Sequence, residues 1–138
     1  MRRWRLTSAA VADSVADQRS AGWACWRGNA AGLGGWTFVT RISLTTLQAT
    51  GMGFFGLYGS TAALATTLTL AAVVNCIGIG FQRGTHPRWQ LVANDGTGAP
   101  TLTDMGASFA IATGGVLTIF IAAPPNGSSI WVRVVDEV

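Results

Sequence analysis

The sequence predicts an all-β protein, specifically an antiparallel β-sandwich of the jelly-roll kind that follows a short N-terminal arm. Apolar and polar residues alternate with a period of two in several segments, as they do in strands that bury one face. Turn sequences rich in Gly, Asn, Asp and Pro separate these segments at intervals of about ten residues, a spacing typical of sandwiches. The 138 residues suit one domain, which we place at 22–138 after an arm at 1–21.

Charged residues are few. They make up 11% of the chain, while apolar residues make up 49%, and an ordinary soluble domain has roughly 25% charged residues. This composition excludes a disordered charged tail and a coiled coil. A monomeric sandwich covers its outer faces with Lys and Glu, whereas this chain has no lysine and offers Thr, Ser, Ala and Gly. We therefore expect an obligate homo-oligomer.

The N-terminal arm holds four of the nine basic residues, and three of them lie within its first five positions. Arg2, Arg3 and Arg5 surround Trp4, and these four residues form the candidate attachment arm. The cluster is open to three interpretations: a solvated arm, a contact to nucleic acid, or a segment that docks on a neighbouring subunit. Nucleic-acid binders interleave many basic and aromatic residues over a face, so we expect no nucleic-acid partner. The arm's own structure is left open between a helical turn and an extended strand.

A membrane span and a secretion signal are both considered and rejected. No charge occurs from Ile42 to Gln82, and the window Ala62–Phe81 is long enough to cross a bilayer. That window contains three threonines and an asparagine, and no basic cluster borders it. Asp13 and Asp17 interrupt the apolar run that a signal peptide would need.

The first two strands are predicted at Trp36–Leu47 and Met52–Gly59. In the first, the large apolar side chains Trp36, Phe38, Ile42 and Leu44 occupy even positions, and the odd positions from 37 to 45, except Val39, carry polar ones. β-branched and aromatic residues suit such a half-buried surface. In the second, large side chains point to both sides. One side carries Phe54 and Tyr58 and the other carries Phe55 and Leu57.

The middle of the chain gives two further strands. Ser60–Ala72 is ambiguous, because its Ala and Leu favour a helical turn while its threonines oppose a full helix. Val73–Phe81 is predicted as a strand in which Gly78 lets a neighbouring backbone or ring lie close. Arg88–Ala93 follows, with Trp89 and Leu91 expected to point inward.

The last third gives a turn, a short strand and a hairpin. Asn94–Gly98 is rich in residues that tolerate the positive φ of tight turns, and Thr101–Met105 is a short strand candidate. Val116–Ala123 is apolar on both faces and is predicted to be a central strand. Pro124–Gly127 forces a turn, after which Ser129–Val135 returns antiparallel to it.

Motifs for cofactor binding are incomplete. Gly51–Gly56 matches the GxGxxG string, but a dinucleotide site needs a following helix and an acid about twenty residues on. The nearest downstream acid is Asp95, and Phe54 and Phe55 occupy the place where the helix would begin. A phosphate-binding P-loop needs a lysine, which the chain lacks. We interpret the string as a glycine-softened strand and expect no cofactor.

Catalytic and metal-binding patterns are also absent. His86, the one imidazole, lies in a predicted loop, and nothing local pairs it with Asp95 or Asp104 as a catalytic or metal site requires. We therefore expect no catalytic residues, no metal ligands and no enzyme activity. Cys25 and Cys76 allow a single disulfide, although two buried free thiols are preferred. The glycosylation-type sequence Asn126-Gly127-Ser128 is explained by its turn.

The six tryptophans are the most informative side chains. Trp36 and Trp89 fit inward positions and are assigned to the core. The others are less constrained, and exposed aromatic rings serve as interface anchors or stack on sugars. The candidate interface or glycan-contact residues are Trp23, Trp26 and Trp131.

Four segments carry a resemblance to a known family. They are WRGNAAGLGGW at 26–36, NCIGIG at 75–80, WQLVANDGTG at 89–98 and NGSSI at 126–130. In this order they resemble a β-rich module of structural proteins of tailed bacteriophages, found in tail-fibre and tail-associated chains. The resemblance spans roughly Gly22 to Val135 and brings no catalytic or ligand residues with it.

This resemblance implies a virion structural protein. We expect a homo-oligomer, with a trimer favoured, in a tail fibre or similar appendage, attached to other virion proteins through the arm. One alternative is a capsid decoration protein or head fibre. An alternative of another class is a carbohydrate-binding module that recognises a host-surface glycan through exposed tryptophan.

Overall fold

The computed structural model of the chain describes residues 5–9, 14–18, 34–59 and 68–137. The described residues form two antiparallel sheets, as the sequence predicts, and two single 3₁₀ turns. The strands are β1 Trp36–Ser43, β2 Met52–Tyr58, β3 Cys76–Gln82, β4 Gln90–Asn94, β5 Thr101–Asp104, β6 Val116–Ala123 and β7 Trp131–Asp136. The 3₁₀ turns are Leu70–Ala72 and Ala107–Phe109.

One sheet has three strands in the order β1-β6-β7. β6 lies in the middle, as its apolar sequence predicts, and its bounds agree with the prediction. Its Leu117, Ile119 and Ile121 are buried on one face. β1 alternates between partly buried even positions and exposed odd positions along its whole length. The period of two in the sequence is therefore confirmed in this strand.

The other sheet is a meander of four consecutive strands, β2-β3-β4-β5. Gly56 in β2 lies opposite Gly78 in β3. An added Cβ at Gly78 would come within 2.8 Å of the Gly56 Cα and 3.0 Å of the Phe54 ring. The expectation that Gly78 admits a close neighbour is confirmed, because backbone and ring both occupy the space that a side chain would take.

The two sheets share a hydrophobic core. Ile79, Phe81 and Trp89 from the four-stranded side pack in the same cluster as Leu117, Ile119 and Ile121 of β6. The Phe81 and Trp89 rings meet edge to face, with centroids 5.0 Å apart. Aromatic pairs prefer this geometry. The arrangement is sandwich-like, with one face of each sheet turned toward the other.

A second cluster covers the opposite face of the four-stranded sheet. Leu70 and Val73, from the segment Leu68–Val73, pack against Cys76 and Val92. The Leu70 backbone N–H donates to the Gln82 side chain at 2.9 Å, which ties the segment to β3. The four-stranded sheet is therefore covered on both faces.

This second cluster corrects two expectations. β3 begins at Cys76 and not at Val73, because Val73 turns into the cluster and Asn75 adopts a φ of 52°. In β4, Trp89 lies inward as expected, but Leu91 is only partly buried and Val92 on the opposite face is fully buried. The covering segment Leu68–Val73 makes that opposite face interior.

The turns follow the sequence closely. Asn94 Oδ1 accepts hydrogen bonds from the backbone N–H groups of Asn75 and Gly96, at 2.8 and 2.7 Å. Gly96 and Gly98 have positive φ. In the turn between β6 and β7, Asn126 has a φ of 55° and the Gly127 N–H donates to the Pro124 carbonyl. Asn, Asp and Gly occupy these positions because they tolerate left-handed backbone.

Candidate interaction surface

The three-stranded sheet turns one face away from the core, and we call it the outer face. It consists of the odd positions of β1 and β7 and the even positions of β6, which share one side through the strand register. Its members are Thr37, Val39, Arg41, Ser43, Val116, Thr118, Phe120, Ala122, Trp131, Arg133 and Val135. Most of them are apolar or uncharged, so the face offers few charged groups for hydration.

Three large apolar side chains are exposed on the outer face. The exposed fractions are 53% for Val39, 36% for Phe120 and 66% for Trp131. Val39 lies directly across from Phe120. Trp131 lies across from Ala122, one row along the sheet, and diagonal neighbours at this spacing remain within reach of aromatic rings. We call these three residues, which the register places on one side of the sheet, the apolar ridge; an exposed apolar patch is a candidate binding site.

A polar cluster of Arg41, Thr118 and Glu137 lies at the other end of the outer face. The Thr118 hydroxyl, whose residue is 4% exposed, donates to Glu137 Oε1 at 2.5 Å. Arg41 Nε donates to the same hydroxyl at 3.1 Å, and the Arg41 guanidinium lies 3.4 Å from Glu137. These contacts join β1, β6 and the end of the chain, and the charges of Arg41 and Glu137 are satisfied within the subunit.

A shallow trough adjoins the apolar ridge at Trp131. Its walls include the exposed Trp131 ring, the two prolines after β6, and Thr37 at the start of β1. Trp36 also lines it, and its indole Nε1 is buried without a hydrogen-bond partner in the described part of the chain. The trough is therefore lined by two tryptophans and two prolines.

The tryptophan assignments have different outcomes. Trp89 is 3% exposed and Trp36 packs against the core, as expected. Trp131 is the one candidate contact residue that the described chain contains, and it lies on the outer face. Trp23 and Trp26 fall outside the described residues.

The candidate attachment arm is only partly described. Arg5 is exposed, whereas Arg2, Arg3 and Trp4 lie outside the described residues. The described arm residues, 5–9 and 14–18, form neither helix nor strand.

The acids have structural roles. Asp95 accepts from the Thr97 N–H at 2.9 Å and so shapes the turn after β4. Asp104 accepts from the Gly106 N–H at 2.7 Å and lies 3.3 Å from Arg88. The Gly106 hydrogen bond, with Arg88 second, lowers the pKa of the Asp104 carboxyl.

The other motifs lie apart from one another. Met52–Gly56, within the GxGxxG string, belongs to strand β2, as our interpretation of it requires. His86 is half-buried directly after the turn at 83–85, and its Nδ1 has no hydrogen-bond partner among the described residues. No group of three metal-ligating side chains occurs within the described ranges.

Cys76 is a buried free thiol. It donates to the Val73 carbonyl at 3.2 Å. Burial raises its pKa to about 11, so the thiol is protonated and inert at neutral pH. Cys25 lies outside the described residues.

The sequence pattern did not indicate Val39 and Phe120 as members of the apolar ridge. Val39 stood among polar residues on the odd side of β1, which was the available signal. Phe120 lies in a strand that is apolar on both faces, so its exposure had no signal in the sequence.

In the part of the chain that is described, no helix has the length and apolar character to span a membrane. No protein-family model, no curated protein and no solved structure matches this chain.

Proposed function

We propose that the chain is a non-enzymatic structural subunit that assembles into a homo-oligomer, with a trimer favoured, through the outer face of its three-stranded sheet. The observation that supports this most is the apolar ridge, three exposed apolar side chains on a face that no other described element covers. The opposite sheet has both faces packed. A second copy would give the outer face the partner that the four-stranded sheet has within the subunit.

The energetics favour burial of this face. Apolar surface removed from water contributes roughly 25 cal/mol per Å². Arg41 and Glu137, the charges at the other end of the face, pair with each other within the subunit, so neither would be left unpaired by a contact centred on the ridge. Arg133, across from Phe120, is the charged residue that would lie near the middle of such a contact. Arg is enriched in protein interfaces.

The setting we propose is a bacteriophage virion, in a tail fibre or tail-associated appendage. The resemblance of the four sequence segments supports it. Arg2, Arg3, Trp4 and Arg5 would attach the subunit to other virion proteins. The jelly roll belongs to the same proposal and rests on strand count alone. It has about eight strands in two Greek keys, and the described residues supply seven strands in two sheets, four of them in meander order.

Assembly is tested by light scattering and analytical ultracentrifugation of the purified chain at micromolar concentration. We expect one oligomer whose mass is that of a trimer. Phe120→Lys, which places a charge on the ridge, shifts it toward monomer. Thr103→Lys is the matched control, because Thr103 is an exposed strand residue of the other sheet. A stable, soluble monomer formed by the unmodified chain would overturn the proposal.

The virion setting is tested separately. Purified particles are analysed by mass spectrometry for the chain and its copy number. A low copy number in the tail fraction supports the appendage. A high copy number in the capsid fraction supports the decoration or head-fibre alternative, and absence from particles removes both.

A second candidate function is glycan binding, favoured by the exposure of Trp131 beside the trough. Sugar rings stack on exposed aromatic side chains, and a rigid strand holds this one in place. Glycan-array binding that Trp131→Ala abolishes and Val39→Ala retains would support it. Lack of binding to any host-surface polysaccharide would remove it.

A further inference from the structure

We infer that Asn126 is a site of spontaneous deamidation, which converts the turn between β6 and β7 into a mixture of aspartyl and isoaspartyl forms. The chain contains Asn29, Asn75, Asn94 and Asn126, and only Asn126 is followed by glycine. A glycine has no side chain to hinder attack by its own backbone nitrogen. The sequence therefore offers one site where this chemistry is sterically open.

The surroundings of Asn126 leave its side chain free. The residue is exposed and has a φ of 55°. In the described chain its carboxamide has no hydrogen bond, so nothing holds it away from the following nitrogen. The Gly127 N–H donates to the Pro124 carbonyl at 3.3 Å, which is longer than the usual N–H···O distance of about 2.9–3.0 Å. The Asn126 carboxamide is therefore held by no hydrogen bond within the described chain, and the Gly127 N–H is held by one long hydrogen bond.

Asn94 provides the contrast within the same molecule. Its Oδ1 accepts from two backbone N–H groups, those of Asn75 and Gly96. Its Nδ2 donates to two carbonyls, those of Thr97 and Gly98, at 3.1 and 3.2 Å. The carboxamide is therefore held at both ends. Loss of Nδ2 from Asn94 would break the two hydrogen bonds that it donates, while Oδ1 is held in place by the two that it accepts.

The reaction needs only water as co-reactant. The Gly127 backbone nitrogen loses its proton to water or hydroxide and attacks Asn126 Cγ. The new C–N bond closes a succinimide ring as the Cγ–Nδ2 bond breaks and ammonia leaves. Water then opens the ring at either carbonyl, giving aspartate or isoaspartate. No oxidant or reductant takes part.

The product changes the end of the outer face. Each conversion adds a negative charge to the turn whose prolines line the trough beside Trp131. The isoaspartyl form also adds one carbon to the main chain between β6 and β7, where loop length helps to set hairpin register. Both changes, the added charge and the longer main chain, would occur in a single subunit and do not depend on the proposed assembly.

The test is ageing of the folded chain in neutral buffer, followed by chymotryptic digestion and mass spectrometry. Cleavage after Phe120 and Trp131 yields a peptide in which Asn126 is the one asparagine. We expect this peptide to gain the mass of an amide-to-acid exchange and to separate into aspartyl and isoaspartyl forms. The peptide with Asn94 keeps its mass, and Asn126→Ser removes the product completely.

Asp95→Gly is the comparison variant, because it places glycine after Asn94. It removes the hydrogen bond from the Thr97 N–H to Asp95 but none of the four hydrogen bonds of the Asn94 side chain itself. In denaturant, both Asn-Gly sites of this variant convert. In the folded variant, Asn126 converts and Asn94 stays intact. Persistence of Asn126 in the aged folded chain, together with conversion in denaturant, would overturn the inference. Equal conversion of both sites in the folded variant would overturn the protection that we assign to the Asn94 hydrogen bonds.

Discussion

At the scale of single residues, the buried Cys76 thiol links stability to alkaline pH. Its pKa is about 11 in the folded chain, against 9.0 for an unperturbed thiol, because burial disfavours the thiolate. The unfolded chain therefore releases this proton at lower pH than the folded chain does. The stabilisation is fully present below pH 9 and is lost as pH rises toward 11.

We expect the free energy of unfolding to fall by about 1.4 kcal/mol per pH unit across this window because of Cys76. Urea unfolding of the unmodified chain and of Cys76→Ala, measured at several pH values, isolates this contribution. The difference between the two proteins is constant below pH 9 and shrinks above it. A difference that stays constant up to pH 11 would contradict the assignment.

Gly80 is the second residue with a specific requirement. A Cβ there would meet Leu70 Cδ1 and lie 2.9 Å from the Gly53 carbonyl oxygen. Because Leu70 is fully buried, it has no free space to move into. We expect Gly80→Ala to destabilise the fold by about 1–3 kcal/mol through overpacking.

Urea unfolding checks this value. Gly115→Ala serves as the control, because nothing lies within 4 Å of its added Cβ. Similar unfolding midpoints for the two variants would mean that the segment Leu68–Val73 does not pack on β3 as described.

At the scale of elements, the Thr118 side chain links the strands of the three-stranded sheet at one end. It connects Arg41 of β1 with Glu137 beyond β7 through two side-chain hydrogen bonds. Thr118→Val keeps the shape of the side chain and removes both bonds. We expect a loss of about 1–2 kcal/mol in the free energy of unfolding, since hydrogen bonds to charged groups are stronger than neutral ones.

The control for this prediction is Thr103→Val in β5, an exposed threonine with no hydrogen bond of its side chain in the described chain. Chemical denaturation of both variants gives the comparison. An equal effect at the two positions would show that threonine hydroxyls contribute no more here than at an ordinary strand position.

At the scale of the whole molecule, the proposed assembly depends on apolar surface and not on ion pairs. Salt weakens the attraction between exposed charges, because the screening length falls to about 10 Å at 0.1 M. Salts that are excluded from the protein surface, such as sulfate, strengthen the burial of apolar surface instead. We therefore expect the oligomer to persist, or to become tighter, when sodium sulfate is added. Sedimentation velocity over a series of salt concentrations measures this, and dissociation by salt would indicate contacts through the arginines instead.

The sequence by itself determined the strand content and most of the turns. The alternation in β1, the bounds of β6 and the turns at Asn94 and Asn126 depend on local chemistry: side-chain period, β-branching and tolerance of positive φ. Such properties are fixed by neighbours along the chain, so they can be read without knowing the fold.

Only the tertiary structure decided which apolar faces are covered. Val92 is interior because the segment Leu68–Val73 crosses its face, and Cys76 is buried for the same reason. Val39, Phe120 and Trp131 have the composition of core residues yet lie exposed, because no described element crosses the outer face. Whether a strand face is buried depends on which segment, distant in the sequence, packs on it, and the alternation of residues along the strand does not contain that information.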